Sequence, residues 1–303
     1  MSPFDRDRIA NASPAGIKLD LKYYMFDWDD NILHMPTRIH LEKKTPEGWV
    51  AHDVSTAEFA RIRRDTENYR PKEGDWDKAF VDFYDIGEKG EDVFLEDTKL
   101  ALAPVIAGKT SGAPSFERFK QALIEGRLFA IITARSHSSR AIRKGVEYFI
   151  QNVLTADERQ AMVEQLKAYL TRFEGRTPDW TDEQIIANYL GLNKYHGVTS
   201  PEFEAKMGRK SSGSESPEHA KMVAIKDFVQ HVIALIRGVG VPEPISIGFS
   251  DDDRKNVQAV ESYIKEELRK EFPHIKFVVY DTSDPSRPHG HKIVISDRAP
   301  TPE

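Results

Sequence analysis

Four short apolar runs punctuate an otherwise polar chain, and each stops at a residue able to do chemistry. The first, Tyr23-Tyr24-Met25-Phe26, gives way to Asp27, Asp29 and Asp30, with Asn31 following. The second, Leu128-Phe129-Ala130-Ile131-Ile132, ends at Thr133. The third, Ile245-Ser246-Ile247-Gly248-Phe249, ends at Ser250-Asp251-Asp252-Asp253, and the fourth, residues 276–280, ends at Asp281. Runs of this length, rich in aromatic and β-branched residues, predict buried strands. Between them apolar positions recur at helical spacing. Phe116, Phe119, Ala122 and Leu123 mark a helix over 115–125, with Gly126 past its end. Ala220, Val223, Ala224, Phe228, Val232 and Leu235 mark another over 218–236, ended by Gly238-Val239-Gly240.

Residues 139–152, 155–173, 181–190 and 257–272 also predict helices, and 292–295 a short edge strand. Residues 38–41 and 49–50 flank a Lys-Lys-Thr-Pro-Glu-Gly turn and predict a hairpin. Ser55 or Thr56 then caps a helix carrying Phe59 and Ile62. The stretch 70–112 is mixed, with Trp76, Phe80, Phe83 and Tyr84 as expected core anchors, and the Ser/Gly-rich residues 208–217 predict a flexible connection. Strands alternating with helices predict an α/β fold with a mostly parallel, doubly wound sheet.

In such a sheet, ligands bind beyond the carboxyl ends of the strands. Acids are poor strand formers and costly to bury alone, so Asp27 and Asp29 at a strand end mark a candidate site. Alternation along an extended chain places both on one side. There they could hold a divalent cation, or divide a nucleophile's work from an acid's; a solvated acidic turn is the plain alternative.

Composition narrows the classes. The chain has 303 residues and no cysteine, which excludes disulfides, thiolate zinc sites and cysteine nucleophiles. A net charge of −6 gives no sign of a nucleic-acid or membrane surface. No apolar stretch approaches a bilayer span of roughly 20 residues, residues 1–20 lack the apolar region of a signal peptide, and a cytoplasmic location is the expectation. His289-Gly290-His291 reads as a terminal loop rather than a metal pair, because a third ligand is missing.

The strand ends together resemble the motifs of the haloacid dehalogenase (HAD) superfamily. Its first motif, an apolar strand followed by Asp-x-Asp-x-Thr, is matched by Asp27-Trp28-Asp29-Asp30-Asn31-Ile32-Leu33. Its second, a strand ending in Ser or Thr, is matched by Thr133; its fourth, an acidic cluster, by Ser250-Asp251-Asp252-Asp253 with Asn256 beyond. The chain departs in having Asn31 where the family has Thr and Asp30 where Gly is common. The third motif is a lysine near a helix start. Lys221 and Lys226 lie about 140° apart round one helix, so both cannot serve one site; Lys221, nearer the helix start, is favoured over Lys226 and over Lys210 in the preceding loop.

The resemblance implies a HAD-like Rossmannoid core over 20–33 and 115–300, with cap insertions at 34–114 and, largely helical, at 152–215. It implies a Mg2+-dependent phosphatase acting on a small phosphorylated substrate. Asp27 would form an aspartyl phosphate, and Asp29 would serve as acid and base. Thr133 and Lys221 would bind phosphoryl oxygens, and Arg135 could reach a substrate phosphate or pair with an acid. Asp27, Asp251, the backbone carbonyl of Asp29, and one of Asp252, Asp253 or Asn256 (Asp252 first) would hold the metal. A phosphomutase on the same core, a non-catalytic binding relative and a receiver-like phosphoacceptor are the rival readings.

Overall fold

The computed structural model describes residues 21–85, 92–174, 179–208, 216–236, 245–284, 286–287 and 289–295. Lys210, Gly238-Val239-Gly240 and most of the expected 208–217 connection lie outside them.

The apolar runs form the strands the pattern predicts. In chain order the first elements are β1 (Leu21–Phe26), β2 (Ile39–Thr45), β3 (Gly48–Val54), α1 (Thr56–Ile62), β4 (Tyr69–Pro71), α2 (Trp76–Ala79) and α3 (Asp92–Ile106). Next come α4 (Phe116–Ile124), β5 (Phe129–Thr133), α5 (Ser139–Val153), α6 (Ala156–Glu174), α7 (Asp182–Leu192), β6 (Lys194–Gly197) and α8 (Pro201–Lys206). The chain closes with α9 (Pro217–Ile236), β7 (Ile245–Asp251), α10 (Arg254–Tyr263), β8 (Ile275–Asp281) and β9 (His291–Ile295). The main sheet has six strands in the order β6-β5-β1-β7-β8-β9, all parallel except the antiparallel edge β9. The fold is therefore α/β with a mostly parallel sheet. Among the described residues no helix is long and apolar enough to cross a membrane.

Alternation along the central strands fills a core on each face. Phe26, Phe129 and Ile131 pack on one side with residues of α3 to α7; Tyr23, Met25, Ala130, Ile132, Ile247 and Phe249 pack on the other with α9 and α10. Burying both faces explains why these strands read as unbroken apolar runs.

Two expectations about the insertions are revised. The stretch 152–215 is not a separate helical layer: β6 lies within it and pairs with β5. Asn193 accepts a hydrogen bond from the Phe129 amide at 2.7 Å, and Tyr195, Tyr189 and Leu166 are buried in the main core. The stretch 34–114 also divides. Its first part is a small antiparallel sheet, order β3-β2-β4, with a core of Ile39, Leu41, Val54, Ala79 and Phe83. Its last helix, α3, instead buries Phe94 and Leu102 in the main core. Trp76, expected as a core anchor, is 49% exposed and stacks on Phe80 at 5.8 Å.

The small sheet is tied to the main one at both ends. Thr56 at the start of α1 donates to Asp30 at 2.7 Å. At the other end Ser136 N donates to Phe83 O at 3.0 Å, and Ser138 N to Asp85 Oδ2 at 2.8 Å.

Candidate active site

Parallel pairing brings three strand ends level. Phe26 stands opposite Ile131 on one side and Ser250 on the other, so Asp27 leaves β1 directly beside Asp251. The Asp27 amide donates to Ser250 O at 2.9 Å. The chain then turns sharply. Ile32 N and Leu33 N both bond Trp28 O, and Asp30 takes a left-handed φ of 50°. Trp28 anchors this turn in the core against Phe94 and Phe119.

Asn31 is fully buried and fixes the turn. Its Nδ2 donates to Asp27 O and Ser250 O at 3.0 and 3.1 Å, and its Oδ1 accepts from Ser250 Oγ and Thr282 Oγ1 at 2.9 and 2.8 Å. An amide meets these four demands, two as donor and two as acceptor, where a threonine hydroxyl has only one proton to give.

Asp27 and Asp29 face one cleft but opposite flanks of it, because the extended strand has already ended at Phe26. On the first flank, Lys221 Nζ sits between Asp27 Oδ1 at 2.9 Å and Asp251 Oδ2 at 2.7 Å. All three are buried. Asp252 completes the flank: one carboxylate oxygen from each of Asp27, Asp251 and Asp252 lies within 4.8 Å of the other two. Burial holds the Asp27 carboxyl above its ordinary range, with Lys221 opposing and Asp251 reinforcing the shift. Burial raises Asp252 strongly too, again reinforced by Asp251. Lys221 is held charged: burial opposes that, and Asp251 and Asp27 overcome it.

Three carboxylates thus face one ammonium. With all three ionised, the surplus would be about two negative charges on hard oxygen ligands, the donor set that suits Mg2+ or a similar cation; without one, burial favours protons on Asp27 and Asp252. Asp253 does not join them; its side chain caps α10 by accepting from Lys255 N at 2.8 Å, and its amide donates to Asp251 Oδ1 at 2.9 Å. Asn256 likewise donates to Asp251, at 3.2 Å. Lys226 lies away from the cleft, paired with Glu271 at 2.6 Å.

On the other flank the Asp29 carboxylate lies outside that group. Arg135 grips it with Nε at 2.8 Å from Oδ2 and Nη2 at 2.6 Å from Oδ1, and Thr133 Oγ1 donates to it at 3.3 Å. Burial would raise the Asp29 carboxyl, yet Arg135 more than offsets this and the net shift is downward. Arg135 is itself 1% exposed, so it pairs with an acid and does not reach into open space for a substrate phosphate. Its Nη2 also donates to Thr37 at 2.6 Å, Thr37 bonds Asp97, and its guanidinium lies 4.6 Å from the Phe83 ring centre.

This loop rests closely on β6. A Cβ at Gly197 would lie 2.3 Å from His137 O and 2.8 Å from Arg135 O, so only glycine allows the approach. His137 was not singled out from the sequence. It is fully buried against Phe94, with no hydrogen-bond partner for either ring nitrogen among the described residues. Burial, then the Arg135 charge, push its pKa down to about 3.

The cleft above both flanks has a volume of about 730 Å3 and is walled by the small sheet's layer through Phe59, Arg61, Arg63, Phe80 and Tyr84. From the sequence, Arg61, Arg63 and Arg64 read as a solvated helix face or as the lining of a cap, and Phe80 as core; Arg61, Arg63 and Phe80 line the cleft. Comparison with family models, with curated proteins and with solved structures finds no match for this chain.

Proposed function

We propose that this chain is a HAD-like phosphoric monoester hydrolase that works through an aspartyl phosphate on Asp27 and depends on Mg2+. The observation that carries the reading is Lys221 bridging Asp27 and Asp251 where three parallel strand ends meet. A buried lysine between two carboxylates is costly as scaffolding alone, and it is the arrangement needed where an anionic nucleophile must meet an anionic substrate.

Asp27 supplies the oxygen that attacks phosphorus as the bond to the ester oxygen breaks. Lys221, hydrogen-bonded to that carboxylate, is placed to stabilise charge on the phosphoryl oxygens. Mg2+ held by Asp27, Asp251 and Asp252 would supply positive charge that offsets the repulsion between carboxylate and phosphate. Asp29 handles the proton: entering the cycle protonated, against the Arg135 charge that favours its ionised form, it gives that proton to the departing oxygen and regains one from the water that releases phosphate. Both Asp29 oxygens are engaged by Arg135, so this transfer requires the guanidinium fork to loosen or share. The small sheet over the cleft would exclude bulk water during the covalent stage.

The test is release of phosphate from an aryl phosphate, with and without Mg2+, by the wild type, Asp27→Asn and Asp29→Asn. Wild type should turn over only with the metal, and Asp27→Asn should fall to background while remaining folded. Asp29→Asn should attack esters with good leaving groups and accumulate phosphorylated protein. Full activity in Asp27→Asn would refute the assignment. Transfer of the phosphoryl group to an added alcohol in place of water would turn the reading toward a phosphotransferase.

A further inference from the structure

Three arginines line the same cleft above the acidic floor, and the phosphoryl chemistry does not use them. Arg61 and Arg63 come from α1 and its end; Arg254 comes from the first turn of α10. Arg61 has no hydrogen bond or ion pair among the described residues, and Arg254 makes no hydrogen bond among them. Arg63 meets Asp253 only loosely, at 3.8 Å. Glu218, the other acid on this rim, is already committed to Lys255. Three guanidiniums therefore meet two acids, Asp253 beside Arg63 and Asp284, whose carboxyl feels the Arg254 charge, while the floor below sets three carboxyl groups against one ammonium. A monoester whose only charge is its phosphate would leave a positive surplus at the rim, with Arg61 unpaired among the described residues.

The wall between floor and rim is aromatic. Phe59 and Phe80 meet edge to face at 5.5 Å, and both line the cleft together with Tyr84. Such a wall favours a flat ring over a polar chain. Planar guanidiniums match carboxylate and phosphate groups by paired hydrogen bonds.

We propose that the cleft selects phosphate monoesters of an aromatic or heteroaromatic body carrying a second anionic group, held by Arg61, Arg63 and Arg254. This rests on the phosphatase reading for the reacting end alone; the rim site is a binding property that can be measured without turnover.

The experiment uses phenyl phosphates bearing a carboxylate at position 3 or 4, each matched with its uncharged carboxamide, and a further arm with phosphonate in place of carboxylate. With Mg2+ present, at least one charged compound should be favoured in kcat/KM by roughly tenfold or more over its matched amide, the effect of one well-formed charge pair. A preference for phosphonate over carboxylate would assign the rim to a phosphate-like dianion. In Arg61→Gln/Arg63→Gln/Arg254→Gln the preference for each charged compound over its matched amide should fall to within about twofold. Arg64→Gln, on the same segment but outside the cleft lining, should retain the preference. Calorimetric binding of the same pairs to Asp27→Asn gives the second readout. Equal affinity for charged and uncharged partners, or a preference that survives the triple substitution, overturns the rim site. Failure of every ester to turn over, with the binding preference intact, would remove the phosphatase reading and leave the rim site standing.

Discussion

The two flanks of the cleft solve the same problem, buried carboxylates, in opposite ways. On the Asp29 flank the charge is closed locally: one carboxylate meets one guanidinium, which is in turn bonded to Thr37 and stacked on Phe83. On the Asp27 flank three carboxylates share a single lysine. The closed flank pairs its two charges, leaving Arg135 Nη1 buried without a hydrogen-bond partner among the described residues, whereas the open flank sets three carboxyl groups against one ammonium. Burying uncompensated charge costs several kcal/mol, so such a flank either takes up protons, as the raised Asp27 and Asp252 carboxyls do, or is completed by a cation as proposed.

The strongest way to break the contrast is to remove the open flank's surplus. Asp251→Asn should lower turnover by at least about a hundredfold, an effect in the range of lost electrostatic groups. Millimolar Mg2+ should raise the melting temperature of the wild type and leave that of Asp251→Asn nearly unchanged. Equal stabilisation of both proteins would mean that the three acids are not the cation's site.

The closed flank should fail in stability before it fails in chemistry. Arg135→Met strands the Asp29 charge and should cost about 3–5 kcal/mol in urea unfolding. Adding Asp29→Asn to that variant should restore much of the loss, since the stranded charge is then gone. A double variant no more stable than Arg135→Met would show that Arg135 acts by packing alone.

His137, beside the closed flank, sharpens the contrast through pH. Its folded pKa of about 3 lies below its ordinary 6.5, held down by burial and Arg135 with Asp29 opposing. As pH falls through 6.5 the unfolded chain binds a proton that the folded one refuses, so stability present above 6.5 is lost steadily toward 3. His137→Leu should remove this acid sensitivity, with a difference from wild type reaching roughly 3 kcal/mol between pH 7 and pH 4. Parallel stability curves for the two proteins over that interval would contradict the assignment.

The smallest effect separates backbone from side chain in the turn joining the flanks. Asp30→Ala and Asp30→Gly both lose the bonds from Thr56 and His34. Only alanine keeps a Cβ in the left-handed region, so it should be the less stable by about 1 kcal/mol in chemical denaturation.

The open flank was much the more legible of the two in the sequence. Its acids close apolar runs, which marked Asp27 and Asp251 as strand-end candidates, and the resemblance to the HAD motifs implied that they share one site. Helical geometry also forced a choice between Lys221 and Lys226, which point apart. The closed flank depends on Arg135 meeting an acid 106 positions earlier, and no local spacing reports such a contact. Strand β6 was missed because Lys194-Tyr195-His196-Gly197 is short and mixed. It is the sheet's edge, so the unbroken apolar pattern of a central strand is not required of it. Helix α3 was assigned to the insertion by position, although Phe94 and Leu102 bury it in the main core.

The double tether of the small sheet also bears on exchange of parts. Its first junction bonds the turn that carries Asp29, through Thr56 and Asp30; its second bonds the loop that carries Arg135, through Phe83 and Asp85. A foreign lid grafted between these points would inherit responsibility for the register of both charge partners. Recombination here is therefore constrained at its seams rather than across its outer face: a transplanted module must bring a hydroxyl for Asp30 and an acceptor for the Ser138 amide, or it will loosen the ion pair beneath it.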